Sequence, residues 1–348
     1  MDNIEVTIGF PVYNVERYVE KSLRSALDQD FSLPYEILVI DDCGTDKSME
    51  IVRKLQSEHP KGDIIRIICH EHNKGLGPAR NTVIDNAKGK YLLFLDSDDW
   101  FGVDALSKLY AKSIETNSDV TVGSIMDIDE KTLEEKMWIN PDLFVERKGA
   151  GAYIASRGLA SPKVTYWNKL FLTDFIRRSN MYCTNPILED VIPDFRAKAL
   201  STRVAMISDV TLFYNVREGS IMRDLWNDKK HNDKAVANYI DIVKRIQTMV
   251  RDEFRDVDGI YDMYFAALLN AFGIMNAAGI KKDYPQIAEI EGDFMNLIPS
   301  FHSLYSRNAR LVYLLMKGRK QTIESFCRCY EFACTKTGRV VKLILGKL

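Results

Sequence analysis

Paired cysteines are missing. Six cysteines (Cys43, Cys69, Cys183, Cys327, Cys329, Cys334) are scattered with no CxxC pair, which argues for reduced thiols in a cytoplasmic setting and against a disulfide framework or a zinc site. The five histidines show no metal-ligand spacing. No Ser-His-Asp pattern points to a covalent nucleophile. Long apolar runs are scarce too. One uncharged run, residues 263–280, approaches bilayer-spanning length, but Asn270, Gly273, Asn276 and Gly279 interrupt it, so it reads as a buried or interfacial helix. The start, Met1-Asp2-Asn3-Ile4-Glu5, is acidic and passes at once into a strand-like segment, so no signal peptide is expected. Internal repeats and low-complexity segments are absent.

Net charge is small, −2 over 348 residues, but it is unevenly placed. From Arg307 onward ten Lys and Arg face only Glu324 and Glu331, so the rest of the chain is strongly acidic and nucleic acid is not an expected partner. The 46% hydrophobic and 28% charged composition is ordinary for a globular protein and leaves room for two domains.

The most informative stretch is Tyr91-Leu92-Leu93-Phe94-Leu95-Asp96-Ser97-Asp98-Asp99-Trp100. Its apolar half reads as a strand buried on both faces. Three carboxylates then emerge at the strand's carboxyl end, where open α/β sheets bind ligands. Acids this close repel one another unless a cation lies among them, and oxygen ligands suit Mg²⁺ or Mn²⁺. The competing reading is a helix cap, with Asp98 or Asp99 serving the helix near Asp104.

Strand and helix alternate before this point. Strands are expected at residues 5–12, 36–40, 64–68 and 90–95, and helices at 15–29, from Thr45 or Asp46 to about Glu58, and at 79–87. A parallel sheet with helices on both faces follows. A helix at 104–117 and a strand at 119–126 come next. Residues 128–150 read as polar and irregular, 149–157 as a short helix and 165–171 as a strand or strand-turn. A helix opens at Leu188-Glu189-Asp190 and runs through Leu200. Two strands, 203–208 and 211–216, precede a turn at 217–220, and the pattern beyond about Trp226 is helical.

The informative residues lie just after strands. Asp41-Asp42 could accept hydrogen bonds from a base or ribose, or could simply make the turn before the next helix. Asn73, Gly75, Gly77 and Arg80 could admit a nucleotide, or form a helix-start turn. Glu189-Asp190 could supply a general base, or complement a helix dipole. Arg217, Gly219 and Ser220 could hold a diphosphate, or form an ordinary turn.

Taken in order, Pro11-Val12-Tyr13-Asn14, Val39-Ile40-Asp41-Asp42, Asn73-Lys74-Gly75 with Ala79-Arg80-Asn81, and Phe94-Leu95-Asp96-Ser97-Asp98-Asp99 resemble the N-terminal module of glycosyltransferase family 2, of the bacterial polysaccharide-biosynthesis type. The resemblance covers residues 5–125 specifically. It continues more weakly through Trp167-Asn168-Lys169-Leu170-Phe171, Glu189-Asp190 and Arg217-Glu218-Gly219-Ser220, and does not reach the C-terminal third. It implies a GT-A fold: a Rossmann-like α/β domain with a mostly parallel central sheet over residues 1–225. Its nucleotide-binding half would be about 1–125 and its acceptor-binding half about 126–225, followed by a helical region with a basic tail at 226–348.

By the same resemblance Asp96 and Asp98 form a DxD motif that meets a divalent metal, Mn²⁺ or Mg²⁺. Pro11, Tyr13, Asp41, Asp42, Asn73, Arg80, Asp96, Ser97, Arg217 and Ser220 bind the nucleotide sugar, and Asp190 is the catalytic base of an inverting transfer. The donor would be a UDP-sugar, and the acceptor a saccharide or lipid-linked hydroxyl in cell-surface polysaccharide synthesis. The mixed apolar and basic tail suits an anionic membrane surface, which would place the protein on the inner face of the membrane. A non-catalytic sugar-nucleotide binder is the alternative, and a nucleotidyltransferase a more distant one.

Overall fold

The computed structural model describes residues 4–156, 165–186, 188–218, 232–260, 263, 264 and 267. The chain divides into two compact units, residues 1–154 with 158–220, and residues 155–157 with 221–348.

The first unit is built on β1 (Val6–Val12), β2 (Tyr35–Asp41), β3 (Ile65–Cys69) and β4 (Tyr91–Phe94). They lie side by side in the order β3-β2-β1-β4, all parallel. Helices α1 (Val19–Leu27), α2 (Ser48–Glu58) and α3 (Leu76–Asn86) make the crossovers. Along β2 the side chains alternate between two cores: Ile37 and Val39 pack with Ile8, Phe10, Leu23 and Val52, whereas Leu38 and Ile40 pack with Ala79, Val83 and Phe94. Both faces are therefore covered, which is why these strands read as unbroken apolar runs. Gly9 marks the tightest contact. A Cβ there would stand 2.5 Å from Val83 Cγ1, so glycine lets α3 lie directly on β1.

The sheet continues through β9 (Lys169–Leu172), antiparallel to β4, then β6 (Val120–Asp129), β10 (Arg203–Val216) and the two-residue β5 (Trp100–Phe101). Helices α4 (Ala105–Thr116), α6 (Thr173–Arg178) and α7 (Val191–Leu200), with residues 150–154 of α5 (Ala150–Ser156), complete the described part of this unit.

Three segments depart from the sequence reading. The stretch expected to be irregular holds strands β7 (Glu135–Trp138) and β8 (Leu143–Glu146), paired antiparallel to β6 and β10. Both are short and largely solvated, so they carry little of the apolar alternation that signals a strand. The two strands expected at 203–208 and 211–216 are one, β10, whose pairing with β6 shifts register on either side of Val210. Such irregularity bends a strand without ending it. Helix α3 also begins three residues earlier than expected, at Leu76, because Gly75 takes φ +92° and turns the chain into the helix there.

In the second unit, α8 (Asn232–Met249) runs into a π-helical turn, Val250–Phe254. Ile242, Val243, Ile246, Val250 and Phe254 bury one side of it. The apolar run at 263–280 and the basic tail lie almost wholly outside the described residues.

Candidate active site

The carboxyl ends of β1 to β4 meet at one edge of the sheet, where parallel strands place their functional loops. At the end of β1, Pro11 is buried, and just past the strand Tyr13 is 45% exposed. At the end of β2, the paired acids separate. Asp42 is buried, and its carboxylate accepts the backbone N–H groups of Lys74 (2.9 Å) and Gly75 (2.8 Å) and lies 2.6 Å from His70 Nδ1. Asp42 therefore braces the loop that carries Asn73. Asp41 remains partly exposed, accepting the Cys43 N–H at 3.0 Å with Cys43 at φ +61°. Asn73 itself is exposed. His70, whose Nε2 lies 2.9 Å from Thr82 Oγ1, completes the brace. With no ligand spacing around it, the sequence offered no signal for that role.

The acid cluster at the end of β4 also divides. Asp99 caps no helix: its Oδ1 accepts the Asn215 N–H at 2.8 Å, tying the cluster to β10. Ser97 is buried. Asp96 and Asp98 keep partly exposed carboxylates, each beside an arginine. Asp96 accepts Arg80 NH2 at 2.7 and 3.0 Å, and Asp98 accepts Arg217 Nε at 2.8 Å. The Arg217 guanidinium also lies over the Tyr18 ring, 4.9 Å from its centroid. Burial and the neighbouring Asp96 push the Asp98 carboxyl above its usual range. The Tyr214 phenol, held far above its ordinary value first by burial and then by Asp99, Asp98 and Asp96, senses the same concentration of negative charge. Ser220 and Gly219 lie outside the described residues.

Across the edge, Glu189 and Asp190 stand at the start of α7. Arg80, itself only 2% exposed, reaches both sides: it binds Asp96 through NH2 and Glu189 through NH1. No ion pair or hydrogen bond among the described residues engages the Asp190 carboxylate. Burial first, then the charge of Glu189, pushes it up to about 7, while Arg80 and Lys169 pull the other way. Lys169 is buried, donates to the Thr165 carbonyl at 2.5 Å, and is lowered to about 8 chiefly by burial. A half-buried, unpaired carboxylate that titrates near neutrality is suited to proton transfer.

Among the described residues no group of three or more His, Cys, Asp or Glu side chains is placed to hold a metal unaided. Asp96 and Asp98 nevertheless suit a hard divalent cation, which accepts one or two carboxylates when phosphate oxygens of a substrate complete its shell.

Residues 7–178 match the sequence profile of Glycosyl transferase family 2. Among similar proteins, Glycosyltransferase GlyA of Streptococcus pneumoniae is 29% identical over 236 residues, 65% of this chain and 32% of that protein. Poly(ribitol-phosphate) beta-N-acetylglucosaminyltransferase TarS of Staphylococcus aureus is 25% identical over 308 residues, 85% of this chain and 50% of that protein. The chain thus spans half or less of the length of these curated relatives. Residues 1–349 of TarS, solved with UDP-GlcNAc, superpose with a TM-score of 0.68 at 21% identity, covering 94% of this chain and 91% of that one. A mannosyltransferase from Pyrobaculum calidifontis, solved with GDP-Man and Mn²⁺, gives a TM-score of 0.53 at 16% identity, covering 85% of this chain and 81% of that one. Both likenesses are of fold, and the fold is GT-A.

Proposed function

Because residues 7–178 place the chain in glycosyltransferase family 2, we propose that it moves a sugar from a nucleoside-diphosphate donor to an acceptor hydroxyl with inversion at the anomeric carbon. The observation that carries this is the pairing of a donor-type acid site, Asp96 and Asp98, with an unpaired carboxylate near neutrality, Asp190, at the same sheet edge. Asp190 takes the proton from the acceptor hydroxyl as that oxygen attacks the anomeric carbon. The new bond forms opposite the bond to the diphosphate, which breaks, so one displacement inverts the centre. Arg217 supplies a guanidinium suited to phosphate oxygens beside Asp98. Asp96 and Asp98 would hold a divalent cation, which when bound would supply Lewis-acid neutralisation of the diphosphate. Tyr13, Asp41 and Asn73, exposed or partly so, meet the nucleotide together with Pro11; Asp42 shapes the Asn73 loop through the Lys74 and Gly75 N–H groups.

UDP is the proposed nucleotide, since a protein of like fold is solved with UDP-GlcNAc. The acceptor class is a saccharide or lipid-linked chain of the cell surface, as the names of the relatives suggest. The basic tail from Arg307 suits a cytoplasmic protein resting on an anionic membrane beside such an acceptor. A panel of nucleotide sugars, each with and without Mn²⁺, tests the reading by thermal shift and then by transfer. Stabilisation by UDP-sugars and turnover that Asp190→Asn abolishes are expected. Equal turnover by wild type and Asp190→Asn would remove Asp190 as the base.

A further inference from the structure

We infer that Arg80 is a positioning residue, a buried strut that fixes the donor-binding Asp96 against the Glu189-Asp190 segment, rather than a contact to the nucleotide. The inference rests on the glycosyltransferase reading of the site and deepens it. Arg80 projects from α3, and its guanidinium is enclosed, with the Tyr166 ring 5.7 Å from its central carbon. One nitrogen holds both oxygens of Asp96, 16 positions away, and the other holds Glu189, 109 positions away. Its Nε is buried without a partner among the described residues. A guanidinium placed to greet a ligand would keep a face open. This one faces two carboxylates, and its planar fork fixes the angle between them.

The geometry has a consequence for catalysis. Asp96 lies at the end of β4, and Glu189 immediately precedes the proposed base at the start of α7. Among the described residues, Arg80 is the side chain that bonds both. Losing it releases the base from the donor site, and a misplacement of about 1 Å costs on the order of a hundredfold in rate while leaving binding surfaces intact.

Two measurements test this. The first needs no substrate. Thermal unfolding of Asp96→Asn, Glu189→Gln and the double variant should be non-additive with Arg80 present and additive in an Arg80→Met background. Additivity in both backgrounds would overturn the strut. The second compares wild type with Arg80→Lys, which keeps the charge but not the fork. Turnover should fall at least about tenfold while the UDP dissociation constant, by calorimetry, stays within about threefold. Parallel losses of turnover and UDP affinity would instead make Arg80 a nucleotide contact. A wild type that binds UDP and transfers no sugar would remove the glycosyltransferase reading, and the unfolding cycle would still decide the link.

Discussion

Asp190 combines two properties that oppose each other. Its carboxyl is raised from the usual 3.8 to about 7. A raised folded-state value stabilises the fold while the group is protonated, and that stabilisation is lost as pH rises through about 7. A general base works only when ionised, so activity should rise over the interval in which stability falls. The groups that face it are Glu189, Asp194, Arg80 and Lys169. Two outcomes are expected. kcat/KM should climb with an apparent midpoint near 7, read from a pH–rate profile, and Lys169→Met should move the midpoint upward by removing a cation. Asp190→Asn should raise the melting temperature relative to wild type more at pH 8 than at pH 5, and should cut transfer by about 10²–10⁴-fold with UDP affinity kept. At this scale the sequence names residue types but not their partners within the protein. It offers Asp42 and Arg80 as nucleotide-site candidates, and both are buried and also bonded within the protein. Nothing local announces that a side chain will be met by a group 109 positions away.

The loop from His70 to Gly75 and the helix after it behave as one element. Asp42 holds the Lys74 and Gly75 N–H groups, and Gly75 sits at φ +92°. Asp42→Ala removes the acceptor of the part-buried Lys74 and Gly75 N–H groups and the partner of buried His70 and should destabilise by about 1–3 kcal/mol, with UDP affinity falling as the Asn73 loop loosens; chemical denaturation and calorimetry read the two effects. Gly9→Val forces a side chain into α3, where even a Cβ stands 2.5 Å from Val83 Cγ1. A loss of at least about 1–3 kcal/mol is expected, measured by urea unfolding. The parallel strands were legible because apolar runs buried on both faces have a strong signature. Strands β7 and β8 were not, because hydrogen bonds to β6 and β10 define them more than their own side chains do.

Over the whole molecule, the basic tail and the acidic remainder imply opposite partners. On the proposed membrane attachment, flotation of the full chain with anionic vesicles should be strong at low salt and weaken steeply as salt rises, because screening acts on the tail's net positive charge. Salt-independent flotation would point to apolar insertion instead. The site itself has an order in time. Strands β1 to β4 all lie within residues 6–94, so the donor-side scaffold is made before the rest of the described site. Arg80, by contrast, waits for Glu189, and Asp99 waits for the Asn215 N–H, 116 positions later. Through that interval of synthesis the acids and Arg80 stand together while Glu189, Asn215 and Arg217 are still unmade. Contacts that close late at long sequence separation slow folding. The acidic edge should therefore close after the parallel strands behind it, since its links to Glu189, Asn215 and Arg217 span 109, 116 and 119 positions.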